Sequence, residues 1–265
     1  MTLHLPTLDR TSPDPSPQTP PSLATMPLVG HLTELRNRTL ISVAAVSVGA
    51  IVTFILFTHI LTLLLDPYCH SVGPGRACNL YVTGPLDGLS IRVKIAAYGG
   101  VALASPLLLW QLWRFVAPGL HKKEKRYALP FVASSLVFFL SGALMAYLVF
   151  PHTLSFLDTI GGPSLEQIYS PGNYLGLLLL MMAVFGITFE LPVLLVFLQI
   201  AGVVTPQRLS SWRRWAIVGL VSFAAIITPS SDPFSMLAMA VPLLIFYELS
   251  IVIGRLILRS RPRAA

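Results

Sequence analysis

Charged residues are scarce in this sequence: only 11% of its 265 residues are Asp, Glu, Lys or Arg, whereas 54% are hydrophobic. With a mean hydropathy of +0.74, this composition excludes an ordinary soluble domain. One transmembrane helix needs only about 20 apolar residues to cross roughly 30 Å of hydrocarbon. The composition therefore predicts a membrane protein that crosses the lipid bilayer several times.

Recognisable chemical motifs are also lacking. The sequence contains no metal-ligand cluster, no phosphate-binding loop, no serine in a nucleophile elbow and no internal repeat. We therefore expect a protein that is not an enzyme, uses no cofactor and has no nucleic-acid partner.

Cysteine is nearly absent, since only Cys69 and Cys78 occur, on either side of the segment VGPGRA. In the topology predicted below, both lie in the first outside loop, where an oxidising compartment permits a disulfide. Two unpaired thiols are the alternative, and the sequence leaves both possibilities open.

Long apolar segments predict an all-α bundle of six transmembrane helices. The segments are residues 39–65, 95–117, 127–150, 174–203, 215–228 and 234–258. Segment five would give only about 21 Å of helix, so re-entry is an alternative to crossing. Crossing is favoured because re-entry would place the Arg-rich C-terminus outside. The bilayer beside such short spans is expected to be thinned.

Basic residues cluster in alternate loops, which predicts that both termini are cytoplasmic. The predicted inside segments contain Arg36, Arg38, Lys122, Lys123, Lys125, Arg126, Arg208, Arg213, Arg214, Arg255, Arg259, Arg261 and Arg263. The opposite face has only Arg76, Arg92 and Lys94. All four tryptophans, at positions 110, 113, 212 and 215, fall at the inner ends of spans, as in an interfacial aromatic belt.

The N-terminus differs in composition from the rest of the chain. Residues 1–27 carry seven prolines and no apolar stretch long enough for a signal peptide. We expect residues 1–27 to be a disordered cytoplasmic extension, residues 28–258 the membrane domain and residues 259–265 a short basic cytoplasmic tail.

The segment PLVGHLTELRNR, residues 27–38, predicts a helix that lies on the inner membrane surface before entering the bilayer. Its leucines share one face, whereas His31, Glu34 and Arg38 share another. One interpretation of Glu34 is a surface pair with Arg38, worth only about 0.3 to 0.5 kcal/mol.

A second acid, Glu124, lies among four basic residues in FVAPGLHKKEKR, residues 115–126. Such a charge run often serves only to set topology. However, Glu34 and Glu124 precede and follow the first two spans, so helix packing can bring them together. Two carboxylates bind two guanidinium groups bidentately, a geometry that lysine does not reproduce.

A third acid, Glu190, falls close to the middle of the apolar run 174–204 in the segment FGITFELPVLL. A carboxylate at mid-bilayer costs about 2.5 to 3.5 kcal/mol, so it is a functional candidate. Pro192 has no N–H for the carbonyl of Thr188, which predicts a kink beside the acid. The alternative is a protonated Glu190 that bonds a neighbouring helix as structural glue.

Taken in order, five segments resemble the TatC family, the core of the twin-arginine protein translocase. They are HLTELRNR, WRFVAPGLHKKEKR, FFLSGALMAYLVFP, FGITFELPV and ITPSSDPFSM, and the resemblance covers about residues 28–258. The last segment departs from the family pattern, because its loop is one residue longer and ends in Met236. The resemblance implies a concave six-span bundle in the cell inner membrane.

The resemblance also implies partners and site residues. TatC proteins bind twin-arginine signal peptides on the cytoplasmic face and recruit single-span TatA and TatB proteins. The multimeric complex exports folded proteins with the proton motive force. The implied signal-peptide residues are Glu34, Glu124, Arg36 and Phe115. The implied partner contact is Glu190, with Thr188 and Pro192, and the implied outer-face motif is Pro67, Tyr147 and Asp232.

A proton-coupled secondary transporter of a small solute is the alternative function. Glu190 and Glu248 would then be its proton-coupling residues, and Pro192 and Pro242 would mark broken helices. The lack of repeated halves and of sufficient polar lining for a solute argues against this alternative.

Overall fold

The computed structural model describes residues 28–72, 81–82, 84–116, 128–162, 170–230 and 232–259. Within these residues every regular element is a helix, which confirms the predicted all-helical fold. The helices are α1 Leu28–Ile55, α2 Phe57–Val72, α3 Asp87–Val116, α4 Ala128–Gly161, α5 Pro171–Thr188, α6 Leu191–Ile200, α7 Pro206–Ser211, α8 Arg213–Ile227 and α9 Pro233–Arg259. The chain divides into two units between Asn37 and Arg38, a boundary within α1, and the packing below is that of the second unit.

Five segments in the described part of the chain are long and apolar enough to cross a membrane. They are Thr33–Ile55, Asp87–Arg114, Leu129–Gly161, Pro171–Ile200 and Pro233–Ile257. The fifth predicted span, 215–228, corresponds to α8, whose 15 residues reach only about 22 Å. The chain is thus a multi-pass membrane protein, and a sixth crossing by α8 stays a prediction.

The first predicted span, 39–65, is not one continuous helix. It is interrupted at Leu56, whose carbonyl accepts backbone N–H groups from both His59 and Ile60, at 3.1 and 3.2 Å. The guanidinium of Arg92 lies over the rings of Phe54 and Phe57 on either side, 5.8 and 4.6 Å from their centroids. The helix is therefore interrupted within the first predicted span.

Helix α4 is longer than expected, since it continues to Gly161 rather than ending near residue 150. Pro151 lies inside this helix. Membrane helices accommodate proline when neighbouring groups satisfy the backbone groups that it leaves without a hydrogen bond. This extension carries polar side chains of α4 to the start of α9, as described below.

Glycines allow two pairs of helices to approach closely. A Cβ added at Gly142 of α4 would lie 2.5 Å from the carbonyl oxygen of Phe185 in α5. A Cβ at Gly49 of α1 would lie 2.8 Å from the carbonyl oxygen of Gly100 in α3. Close backbone approach through small residues is typical of helix association in lipid, where van der Waals packing dominates.

The core of the second unit is formed mainly by α4, α5 and α9. Its fully buried side chains include Phe150, Leu175, Leu178, Met181, Phe185, Met239 and Leu243. Helix α5 has buried residues around much of its circumference. It is therefore the central helix that fixes the position of the residues following it, including Glu190.

Candidate functional site

Glu190 lies at a break between two helices. Helix α5 ends at Thr188, helix α6 begins at Leu191, and Pro192 occupies the first turn of α6. The N–H of Glu190 bonds the carbonyl of Ile187 at 3.2 Å, a tighter turn than an α-helix makes. The predicted kink is therefore confirmed as an interruption directly at the acid.

The side chains around the break do not all point outward. Thr188 and Pro192, which were expected at the partner contact, are buried. Ile187 and Leu194 are 66% and 51% exposed, and Glu190 itself is half-buried. Ile187 and Leu194 therefore form the exposed surface of the protein beside Glu190.

The carboxyl of Glu190 has an incomplete set of hydrogen bonds. It lies near the Ser135 hydroxyl on α4. Ser135 is fully buried and accepts a hydrogen bond from the Trp113 indole at 2.9 Å. The Oε1 atom of Glu190 is buried, and no partner for it lies among the described residues. Trp113, Ser135 and Glu190 thus lie close together, and one buried oxygen of Glu190 has no partner within the described residues.

Trp113 is enclosed by aromatic rings. Its ring centroid lies 5.0 Å from those of Phe131 on α4 and Phe197 on α6, and its side chain is 8% exposed. The prediction of an interfacial belt is therefore wrong for Trp113, because it packs inside the bundle. Trp212 and Trp215, by contrast, are exposed.

Pro67 and Tyr147, which were predicted to lie on the outer face, are brought together. Pro67 is buried within α2 and has no N–H for the carbonyl of Leu63 one turn earlier. The Tyr147 hydroxyl of α4 donates to this carbonyl at 2.8 Å, and the Tyr174 hydroxyl of α5 donates to Leu64 at 2.9 Å. Two tyrosines therefore tie the interrupted backbone of α2 to the central helices.

Asp232 is 2% exposed and precedes α9 directly. Its Oδ1 accepts the backbone N–H of Ser235 at 2.8 Å, as an N-cap side chain does. Its Oδ2 accepts the Ser230 hydroxyl at 2.5 Å and also contacts the Ser235 hydroxyl. Ser235 in turn lies 2.9 Å from the hydroxyl of Thr153 on α4. Asp232 is therefore a structural link between α9 and the extended end of α4.

The candidate signal-peptide residues are placed only in part. In the first unit, Glu34 is half-buried and Arg36 is exposed on α1. Phe115 lies in the last turn of α3, but its side chain and the whole of Glu124 lie outside the described residues. The pairing of Glu34 with Glu124 therefore stays a prediction.

Of the two cysteines, Cys69 lies in α2 and is disulfide-bonded. Cys78 lies outside the described residues. The outside location of this loop stays a prediction.

Glu248, the second acid of the transporter alternative, is already paired. Its carboxylate accepts a hydrogen bond from the Arg213 guanidinium at 2.7 Å, and both side chains are 47% exposed. This half-exposed ion pair joins α9 to the start of α8. The environment of Glu248 thus differs from that of Glu190, so the two acids do not form a matched pair of proton-coupling sites.

Gln199 is a buried polar residue that was not predicted. Its side-chain amide donates to the carbonyls of Leu195 at 3.2 Å and Ser250 of α9 at 3.0 Å. Its Oε1 has no hydrogen-bond donor among the described residues and packs against the backbone of Gly254. A lone amide within the run LLVFLQI was the available signal in the sequence.

Known proteins resemble this chain over most of its length. A family model described as Sec-independent protein translocase protein (TatC) matches residues 30–242. The protein of this name from Frankia casuarinae is 41% identical over 238 residues, which cover 86% of this chain and 65% of the Frankia protein. The protein of the same name from Aquifex aeolicus is 38% identical, over 89% of this chain and 98% of its own length.

Solved structures agree with these sequence relatives. Two crystal structures of a twin arginine translocase receptor, TatC, one of them in DDM, are 38% identical to this chain. Their TM-scores are 0.69 and 0.71, and they cover 85% and 84% of this chain.

Proposed function

This chain belongs to the TatC family of Sec-independent protein translocase proteins, and we propose that it is the signal-peptide receptor of a twin-arginine translocase. In this proposal it binds twin-arginine signal peptides on the cytoplasmic face of the cell inner membrane. It then recruits TatA-like and TatB-like single-span proteins in a multimeric complex, which exports folded proteins with the proton motive force. The observation that carries the proposal is its similarity, at 38% identity over most of both chains, to structures of a twin arginine translocase receptor.

The proposed topology has six spans with both termini in the cytoplasm. Its support is the distribution of basic residues, together with five segments that qualify as spans by length and composition. The test uses single cysteines at Ser164 and Lys123 in a background that lacks Cys69 and Cys78. An impermeant thiol reagent is expected to label the two from opposite sides of the membrane. Labelling of both from one side would contradict the proposed topology.

The proposed signal-peptide site contains Glu34 and Glu124, with Arg36 and Phe115 beside them. A carboxylate that is partly shielded from water forms stronger charge-assisted bonds than a fully exposed one, and Glu34 is half-buried. Two bidentate carboxylate contacts explain why the signal would need arginine rather than lysine.

The binding test measures cross-linking of a twin-arginine peptide to the purified chain. Glu34→Ala and Glu124→Ala are each expected to reduce cross-linking by more than the about 0 to 1 kcal/mol of an exposed ion pair. Glu166→Ala, on the predicted outer side, is the matched control and is expected to have no effect. A twin-lysine peptide should bind the unaltered chain more weakly. Unchanged binding in both Glu34→Ala and Glu124→Ala would mean that these acids do not bind the signal peptide.

The proposed contact with a partner helix is at Glu190. Within the described residues this carboxyl has one buried oxygen without a partner, and such a group is costly in a low-dielectric interior. A donor on an incoming helix would complete its hydrogen bonds, which supports a docking role.

The docking test compares Glu190→Gln with Glu190→Leu. Glutamine still donates and accepts hydrogen bonds, so it is expected to retain much of the export of a folded reporter, whereas leucine should lose it. Cross-linking to the partner is best measured from Ile187, which is exposed, rather than from the buried Thr188. If both variants abolish export while cross-linking persists, titration of Glu190 is the better explanation.

A further inference from the structure

Arg92 carries a positive charge inside one of the segments that are long and apolar enough to cross a membrane. This segment, Asp87–Arg114, has 28 residues and is about 42 Å long as a helix. That length matches a bilayer with its headgroups, about 40 to 45 Å, of which the hydrocarbon core takes about 30 Å. Arg92 is about 7.5 Å from the start of the helix. In a helix along the membrane normal, its Cα therefore lies at the boundary between hydrocarbon and headgroups.

The side chain of Arg92 leaves the helix toward the nearer membrane surface. Cα–Cβ bonds in an α-helix tilt toward the N-terminus, which for α3 is the end at Asp87. Long basic side chains near the end of a span extend in this way and keep their charge at the interface. The guanidinium of Arg92, an exposed residue, is therefore at the depth of the lipid phosphates.

Two aromatic rings hold this guanidinium without satisfying its hydrogen bonds. Its Cζ lies 5.8 Å from the ring centroid of Phe54 on α1 and 4.6 Å from that of Phe57 on α2. Cation–π contacts attract the charge, but the five N–H donors of a guanidinium need acceptors. In the part of the chain that the structure describes, no carboxylate pairs with Arg92 and no oxygen accepts its N–H groups. An anion from outside the protein is therefore the missing partner.

Lys94, two residues further along α3, is bonded differently. Its ammonium donates to the carbonyl of Gly172 at the start of α5, at 3.2 Å. The charge of Lys94 is thus tied to the protein backbone, whereas that of Arg92 is not. The two basic residues on one helix therefore provide a site and its natural control.

We propose that Arg92, with Phe54 and Phe57, binds the phosphate of an anionic phospholipid. The planar guanidinium presents paired N–H groups that match two phosphate oxygens, a geometry that lysine does not reproduce. A headgroup with a net negative charge neutralises the unpaired cation, whereas a zwitterionic headgroup brings an ammonium of its own. Ile51, one turn before Phe54, is exposed and offers apolar surface to an acyl chain. In the proposed topology this lipid belongs to the outer leaflet.

The test is native mass spectrometry of the purified full chain in detergent, with phosphatidylglycerol as the probe. Arg92→Gln removes the charge-assisted bonds and is expected to weaken binding at least about tenfold. Arg92→Lys, which keeps the charge but not the paired donors, should lose part of the affinity. Phe57→Leu keeps the guanidinium but not the nearer ring, and it should also weaken binding. Lys94→Gln removes the same charge from the same helix and should leave binding unchanged.

Other probes identify the source of the phosphate. Diacylglycerol has the same acyl chains without phosphate, and its binding should not depend on Arg92. Phosphatidylethanolamine should bind more weakly than phosphatidylglycerol, and equal binding would contradict the anionic headgroup. Inorganic phosphate should not displace phosphatidylglycerol. Displacement would mean that the site takes a free anion, and the lipid assignment would be wrong.

Thermal unfolding provides an independent measurement. A bound lipid stabilises the folded state, so phosphatidylglycerol should raise Tm in the unaltered chain and in Lys94→Gln, but not in Arg92→Gln. An equal loss of binding in Lys94→Gln and Arg92→Gln would show that only overall charge matters and would overturn the inference. Should Arg92→Gln fail to fold, unchanged lipid binding in both Arg92→Lys and Phe57→Leu would overturn it as well.

Discussion

Substituting Gly142 by alanine should force α4 and α5 apart. The added Cβ would lie 2.5 Å from the carbonyl oxygen of Phe185 and 2.9 Å from the Cα of Gly186. Both are backbone atoms that no side-chain rotation can move. Ordinary contact begins at 3.4 Å, so the two helices must separate locally by 0.9 Å, the difference between 3.4 and 2.5 Å.

The expected change in the free energy of unfolding of Gly142→Ala results from two opposing effects. Overpacking of this kind costs about 1 to 3 kcal/mol, whereas alanine favours the helix over glycine by about 0.8 to 1 kcal/mol. The matched control is Gly219→Ala in α8, where an added Cβ meets no atom within 4 Å. Gly219→Ala should therefore only gain helix propensity and stabilise the protein.

The assay is thermal unfolding of the purified chain in detergent. Each kcal/mol shifts Tm by about 2 to 4 °C in a protein of this size, so Tm should fall in Gly142→Ala and rise in Gly219→Ala. Because α5 ends two residues before Glu190, Gly142→Ala should also weaken cross-linking from Ile187. A Tm of Gly142→Ala equal to or above that of Gly219→Ala would refute the close helix approach on which this reasoning depends.

Other predictions concern the links between helices, each measured by Tm in detergent. Tyr147→Phe removes the donor to the Leu63 carbonyl and should cost about 1 kcal/mol. Asp232→Ala removes the cap of α9 and should cost about 0.5 to 2 kcal/mol, whereas Asp232→Asn keeps an acceptor for the Ser235 N–H and should cost less. Arg213→Ala breaks only a half-exposed ion pair, so a change of more than about 1 kcal/mol would contradict its assignment as a weak contact.

The helices were predictable because apolar length alone is a strong signal in a membrane protein. The interruption at Leu56 was not predictable, since neither proline nor glycine occurs there and the apolar run continues through it. The third predicted span ended at residue 150, whereas α4 continues through Pro151 to Gly161. Local sequence thus identifies the segments, but tertiary contacts decide where a helix turns.

The candidate site could be predicted only where a residue differs in polarity from its neighbours in the sequence. Glu190 was identified because an isolated acid stands out in an apolar run. Ser135 and Trp113 were missed, because serine is unremarkable in a membrane helix and tryptophan at a span end indicates the interface. The contacts of Trp113 and Ser135 depend on the packing of α3, α4 and α6, which has no signal in the local sequence.

Two buried side-chain oxygens lack a hydrogen-bond partner among the described residues, Glu190 Oε1 and Gln199 Oε1. They differ in what surrounds them. Gln199 has both amide donations satisfied, and its Oε1 packs so closely on Gly254 that a Cβ there would overlap it. Gln199 Oε1 therefore occupies the space that the missing side chain of Gly254 leaves. Glu190 lies instead at a helix break beside the exposed Ile187, which makes it the point where an added helix can supply the missing hydrogen bond.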